Sequence, residues 1–329
     1  MKTHRRHLPS SRYLLGLVLG MALAPLCAGA ASWPERPIKW VVPYVAGTSP
    51  DNAARILSDA LGPILGQPIV IENRGGAAGK IGAQIAARAA PDGYTWVYSA
   101  APMAANMLIY AQPGYDAIKD FDHVTRISES DVLLVVKSDS DIDSLEELIA
   151  RARARPGALN YASGGVGTPS HLGMELFLNE AGIEATHVPY KGASEAVNAV
   201  LGDQVEFSMP IFGVAYPQVQ AGRLKALAVA NTRRNVRLPD VPTLAQEGVE
   251  NVNLVSWGGV SLPAGTPEPI IKQVYGALHE ALQNPKVTEA LAALGSRISP
   301  STREEYERNF ENEIAVTETI MKRLDMAPQ

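Results

Sequence analysis

The 329-residue chain is 46% hydrophobic and 19% charged, a globular composition that excludes a disordered protein. Its length suggests two domains. Residues 1–30 hold four of the 29 Lys and Arg and none of the 34 Asp and Glu, so the rest of the chain is nine charges negative. That balance argues against nucleic acid or an anionic membrane as a partner, though not against a small anion held by local dipoles.

Met1 to Ala30 reads as a secretory leader. Lys2, Arg5, Arg6 and Arg12 precede an apolar run, Leu14 to Leu26, that is short for a bilayer span. Ala28-Gly29-Ala30 places small residues at a cleavage site after Ala30. Arg5-Arg6 lacks the surroundings of a twin-arginine signal. The only cysteine, Cys27, follows Pro25-Leu26, unlike a lipidation site. The expectation is a soluble periplasmic protein without disulfides.

Pro37 to Tyr44 reads as a strand, and Val45 to Pro50 as a loop. Asp51 to Leu65 has apolar residues at helical spacing, with Ser49, Pro50 and Asp51 at the helix start. Gln67 to Glu72 is a short strand, Gly79 to Ala90 a small-residue helix, and Tyr94 to Ser99 a third strand. This β-α-β-α-β alternation predicts a mostly parallel sheet, with ligands outside the carboxyl ends of its strands. Val132 to Val136 is another strand. Ser144 caps a helix to Arg155, with Glu147 completing a capping box.

A second block repeats the pattern. Ala158 to Ala162 is an extended run that enters three glycines within four residues, and Thr168-Pro169 then starts a helix to about Glu180. Glycines let a backbone approach a ligand, and the first amides of a helix are unpaired at its positive end. Strand, glycine loop and helix start together make an anion site, unless the stretch is an ordinary turn. A strand at Ala185 to Val188, a helix at Gly192 to Leu201, and strands at Val205 to Met209 and Lys225 to Ala230 follow. Leu254 to Leu262 is a strand leaving this block. Helices are expected at Pro267 to Gln283, Pro285 to Leu294 and Thr302 to Leu324, covering the first sheet. Two lobes with a cleft between them result.

Catalytic signatures are absent. Gly75 to Ile81 resembles a phosphate loop but is one residue short and has Ile81 where Ser or Thr would hold Mg²⁺. There is no Gly-x-Ser-x-Gly elbow, and an exported hydrolase would need a nucleophile–base pair that is not visible. His171 and Glu175, four apart, are one pair and not a metal coordination set. His171 reads equally as a ligand-side donor or a structural histidine. Asp51 reads first as a helix-start carboxylate, and Trp257 as packing where the chain passes between lobes.

The chain resembles the periplasmic solute-binding proteins of tripartite tricarboxylate transporters, the Bug family. The likeness runs from Trp33-Pro34-Glu35-Arg36-Pro37 through Val42-Pro43-Tyr44-Val45-Ala46-Gly47, Glu72-Asn73-Arg74 and Pro91-Asp92-Gly93-Tyr94-Thr95. It continues through Tyr161 to His171, His187-Val188-Pro189-Tyr190-Lys191-Gly192, Leu238-Pro239-Asp240-Val241-Pro242-Thr243 and Pro263-Ala264-Gly265-Thr266-Pro267. The resemblance implies a two-lobed α/β clamshell of the type II kind, a mostly parallel sheet in each lobe. The implied division is residues 31–131 with 254–329 for one lobe and 132–253 for the other. It implies a monomer without catalysis or cofactor, a small carboxylate ligand, and the permease subunits of the transporter as partner. A sensor presenting its closed form to a signalling partner would share this sequence.

By position, the resemblance places Tyr44, Gly47, Thr48, Ser49 and Asp51 at the ligand from the first lobe, with Ser99 and Ala101 lining the site. Ser163, Gly164, Thr168, Ser170 and His171 would grip from the second lobe, Thr168 and Ser170 as hydroxyl donors, with the helix start at Tyr190-Lys191-Gly192 lining the rest. Pro210 stands where many members carry an Asp, followed by Ile211 and Phe212. Pro210 and Phe212 therefore point to a non-amino acid with an apolar body.

Overall fold

The structure is a computed structural model and describes Met1, residues 33–323 and residues 325–328. The expected leader with Cys27, and the expected helix end at Leu324, lie outside the described residues.

The chain opens with β1 (Ile38–Val42), α1 (Ser49–Leu65), β2 (Ile69–Asn73), α2 (Lys80–Ala87), β3 (Thr95–Ala100), α3 (Ala101–Ile109) and β4 (Phe121–Asp131). It continues with β5 (Leu133–Lys137), α4 (Leu145–Ala154), β6 (Asn160–Ser163), α5 (Pro169–Ala181), β7 (Thr186–Pro189), α6 (Ala193–Leu201) and β8 (Phe207–Ser208). Then come α7 (Phe212–Gln220), β9 (Leu224–Val229), β10 (Val255–Pro263), α8 (Glu268–Gln283), α9 (Pro285–Ala293), β11 (Arg297–Ile298) and α10 (Arg303–Arg323).

Local chemistry accounts for most of these. In α1 the buried residues Ala54, Leu57, Leu61 and Leu65 form one face, and the helix stops at Gly66 in the left-handed conformation. Each buried leucine contributes roughly 1.5–3 kcal/mol. The Ser144 hydroxyl accepts the Glu147 amide at 3.1 Å and starts α4.

Two sheets form, in the orders β11-β4-β10-β3-β1-β2 and β7-β6-β8-β5-β9. Helices flank both, giving the two-lobed α/β clamshell. The sheets are mixed, which corrects the expectation that each is mostly parallel. Strand β1 is parallel to β2 and β3, and β6 to β7 and β8. Strand β10 runs antiparallel to β3 and β4, and β5 antiparallel to β8 and β9. The cause is the crossing between sheets. Strand β4 passes almost directly into β5, and β10 returns beside β4, pairing from Val255↔Asp131 to Pro263↔Phe121. A chain that goes out along one strand and comes back along its neighbour must pair antiparallel.

The first core centres on Trp40 and Trp96, edge to face at 5.7 Å, under α1 and α8. The second gathers Leu134, Val136, Tyr161, Phe177 and Phe207. Helices α8 and α9 cover the first sheet as expected. Helix α10 does more: Tyr306 and Phe310 pack on the first sheet, while Ile320 and Met321 enter the second core and Arg323 pairs with Glu180.

Candidate functional site

Four helices begin at one cleft between the sheets. Its walls include Thr48, Ser49 and Pro50 at the start of α1, and Ala100 and Pro102 at the start of α3. Opposite lie Thr168, Pro169 and Ser170 at the start of α5, and Gly192, Ala193 and Ser194 at the start of α6. The cleft is open to solvent.

None of these four helices has a side-chain cap; α2, α7 and α8 lack one as well, while α4 and α9 are capped by Ser144 and Asn284. Thr48 and Thr168 occupy cap positions but turn away from the job. Thr48 Oγ1 donates to the Val45 carbonyl at 2.8 Å, and Thr168 Oγ1 to the Gly165 carbonyl at 2.7 Å. The two loops are built alike, one on each side of the cleft. The amides of Ser49, Ser170, Ala193 and Ser194 lie in first turns, where the helix supplies no acceptor. Four positive dipole ends thus converge on one space, which favours an anion.

The loops are braced from behind. Under the first, the Asp51 carboxylate is 1% exposed and accepts from the Gly47 amide at 2.8 Å, Asn73 Nδ2 at 2.9 Å and Arg55 Nε at 3.1 Å. Burial pushes its carboxyl up, but the bonds from Arg55, Gly47 and Asn73 outweigh that and hold it below the usual range. Under the second, Ser163 Oγ accepts the Gly165 amide at 3.1 Å and shares a hydrogen bond with His187 Nε2 at 2.7 Å. His171 Nδ1 accepts the Gly167 amide at 3.3 Å. The two imidazoles stack at 4.4 Å, and Tyr161 stacks on His187 at 4.7 Å. His171 is thus held as a neutral acceptor. Burial lowers His171 to about 3, with help from His187, and His187 to about 4.

The remaining surface of the cleft is apolar or hydroxylic. Tyr44, Tyr98, Trp257, Ile211 and Val214 line it. Burial pushes the Tyr44 and Tyr98 phenols up, so both stay protonated as O–H donors. Lys191 and Glu129 alone among the described lining residues carry formal charge. Glu129 is already paired with Arg126 at 2.9 Å and with Arg297. The Ser170 hydroxyl is buried at the cleft wall with no hydrogen-bond partner among the described residues.

The two halves touch at both flanks of the cleft. Gly167 lies against Asn106 and Ile109 of α3. Gly213, in α7, lies against the Leu294 carbonyl after α9, and Gly295 against Gly213.

The sequence profile described as tripartite tricarboxylate transporter family receptor, TctC, matches residues 53–326. The chain belongs to that family. BugT of Bordetella pertussis is 35% identical over 285 residues, covering 86% of this chain and 87% of that protein. The solved periplasmic binding protein BugD is 30% identical, with a TM-score of 0.85 over 90% of this chain and all of that one. A protein of R. palustris solved with adipate is 33% identical, with a TM-score of 0.86 over 90% of this chain and all of that one. MatC from Rhodopseudomonas palustris, solved with bound malate, is 30% identical, with a TM-score of 0.82 over 87% and 99% of the chains.

In this TctC-family chain the cleft gathers six of the residues singled out from sequence: Tyr44, Thr48, Ser49, Gly164, Thr168 and Ser170. The others stand elsewhere. Gly47 and Asp51 brace the first loop. Ser163 and His171 brace the second, so His171 has the structural role of its two readings. Tyr190 sends its hydroxyl to Gln204 at 3.2 Å, while Lys191 to Ser194 reach the cleft in its place. Ser99 is a buried residue of β3, bonded to Ser261 and Tyr306 at 2.7 and 2.9 Å, and its neighbours Tyr98 and Ala100 line the cleft. Ala101 is buried in α3. Phe212 is buried in a separate cluster with Leu133, Val135 and Ala215, and Pro210 does not line the cleft; Ile211 between them does. Trp257 both packs and lines: it stands edge to face with Phe310, bonds Glu313 at 3.1 Å and forms cleft wall.

The Thr168 hydroxyl proton is committed to Gly165, so of the two expected donors Ser170 is the one left available. Sequence reasoning missed Tyr98 and Val214; it had the α6 start at Tyr190-Lys191-Gly192, of which Lys191 and Gly192 line the cleft, and the structure extends that start to Ala193-Ser194. The signal for the last was present in Gly192-Ala193-Ser194, a small-residue helix start like the other two.

Proposed function

We propose that the protein captures a small non-amino carboxylic acid in this cleft, in the periplasm, and presents it to the membrane subunits of a tripartite tricarboxylate transporter. The observation that carries the reading is the convergence of four helix starts without side-chain caps on one space. A carboxylate there accepts from first-turn amides, from Ser170 and from the tyrosine hydroxyls. Adipate and malate in the two R. palustris relatives support the ligand class. The lobes are taken as residues 31–131 with 254–329 and residues 132–253, closing on the ligand in a monomer without cofactor or catalysis.

An α-ammonium has no counter-charge in this cleft. Glu129 is held by Arg126 and Arg297, and Asp51 by Arg55 and Asn73 behind the loop. Burying an unpaired ammonium costs several kcal/mol. The body of the ligand meets Ile211, Val214 and Trp257 instead. Calorimetry with matched pairs tests this: succinate against aspartate, and glutarate against glutamate. The non-amino member should bind more tightly in both. Tighter binding of both amino acids would show that Glu129 or Asp51 is released to meet the ammonium, and would overturn the assignment.

A further inference from the structure

The chain is acidic outside its leader, yet one surface groove is basic. Arg233, Arg234 and Arg237, on the segment after β9, share a cavity of about 740 Å³ with Arg297 of β11. Two acids line it, Glu129 and Asp131, and neither is free. Glu129 pairs with Arg126 and Arg297. Asp131 accepts from Asn231 Nδ2 and Asn235 Nδ2, each at 2.7 Å. Arg234 is fixed by Gln246 at 2.8 Å and the Pro239 carbonyl at 2.9 Å. Arg237 lies 5.7 Å from the Tyr216 ring centroid, and among the described residues neither Arg233 nor Arg237 is in an ion pair. Four guanidiniums against two satisfied carboxylates leave a positive excess of two on the groove itself.

The position of the groove matters as much as its charge. Glu129 and Ser296 line both it and the ligand cleft, so the two spaces adjoin. Phe212 and the arginine segment form one wall, and Ala292 with Gly295 to Arg297 form the other. These walls belong to opposite halves of the molecule and meet where Gly213 touches Gly295. Asp131, where β4 gives way to β5, ties the arginine segment to the crossing between sheets.

We propose that this groove is a second anion site, for a small oxyanion with two or more negative charges, and that its occupancy is coupled to closure of the ligand cleft. Guanidinium groups present paired N–H donors that match carboxylate and phosphate oxygens. One charge meets only part of the positive excess; two or more neutralise it. Because opposite halves supply the walls, separating them dismantles the site. An anion bound there therefore favours the closed arrangement, and a cleft ligand raises the affinity for the anion by the same factor.

Calorimetry at low ionic strength with inorganic phosphate, citrate and acetate as probes tests this on the purified protein, on Arg233→Ala/Arg237→Ala and on Ser170→Ala. Phosphate and citrate should bind at about 1 mM, and acetate at least about tenfold more weakly. The double arginine variant should lose about tenfold or more, and Arg233→Gln alone should lose less in the same direction. Ser170→Ala reports on the cleft alone: any share of citrate or acetate binding that it weakens is cleft binding, since the cleft itself takes small carboxylates. The proposal is overturned if the double variant binds phosphate and citrate like the parent, or if neither probe saturates at about ten times that concentration. Phosphate binding that Ser170→Ala removes and the arginine variant keeps would also overturn it, while leaving the cleft assignment standing. Arginine-dependent phosphate binding in a protein that binds no acid in its cleft would overturn the cleft assignment alone.

Discussion

Ser170→Ala should move affinity and stability in opposite directions. The Ser170 hydroxyl is buried in the first turn of α5 and has no partner among the described residues. An unsatisfied buried hydroxyl costs about 1–3 kcal/mol, so its removal should stabilise the empty protein by up to about 1 kcal/mol after the small cavity is counted. In the complex the same hydroxyl donates to an anionic oxygen, a charge-assisted bond contributing about 1.5–3 kcal/mol. Affinity for the carboxylate should therefore fall roughly ten- to a hundredfold. Urea unfolding of the empty protein and calorimetry of the complex measure the two quantities separately. The reasoning fails if affinity stays within twofold, because Ser170 then does not face the ligand. It fails equally if the empty protein loses more than about 1 kcal/mol, because the hydroxyl then already has a partner.

Closure and pH give two more tests. A methyl group at Gly213 would sit 2.0 Å from the Leu294 carbonyl oxygen and 3.2 Å from Ser49 Oγ. Gly213→Ala should thus oppose closure by about 1–3 kcal/mol and weaken ligand binding about five- to a hundredfold, although glycine to alanine within a helix is otherwise stabilising. Small-angle scattering with ligand should show a more open molecule; unchanged affinity and scattering would refute the contact. Burial lowers His123 to about 4, as it does His187, while His171 falls to about 3. The folded state thus binds fewer protons than the unfolded one between about pH 4 and the ordinary histidine value near 6.5. Stability should be full above 6.5 and fall on acidification through that window, by at most about 1.4 kcal/mol per pH unit for each histidine. Urea midpoints that stay flat from pH 7 to 4.5 would contradict the neutral histidine pair beneath the second loop.

Much of this was legible in the sequence where local chemistry dominates. The two loops at Tyr44 to Asp51 and Tyr161 to His171 announce themselves by small residues, a Thr and a Pro before an apolar period. What was lost falls into two kinds. Some elements carry no local signal: in α3, seven of nine residues are buried, so no face alternates, and α7 contains both Gly213 and Pro217. Strand β4 mixes buried Phe121, His123 and Thr125 with charged neighbours and reads as loop. The other errors are of one residue. Ser99 was chosen over Tyr98 and Ala100, and Pro210 and Phe212 over Ile211. Successive side chains on a strand point to opposite faces, so a slip of one exchanges cleft wall for core. The motif locates the strand end, but only packing says which parity faces the ligand. The inference about ligand charge survives the slip, because Ile211 and Val214 are as apolar as the residues they replace.

The central claim is that one anion is held by the starts of α1, α3, α5 and α6 together. Amide chemical shifts test it most directly, during titration of isotopically labelled protein with adipate, succinate and malate. The amides of Ser49, Ser170, Ala193 and Ser194 should move together, saturating at one ligand per chain, with Ala101 following at the start of α3. Shifts confined to one half of the molecule, or no saturable change with any small carboxylate, would contradict the account.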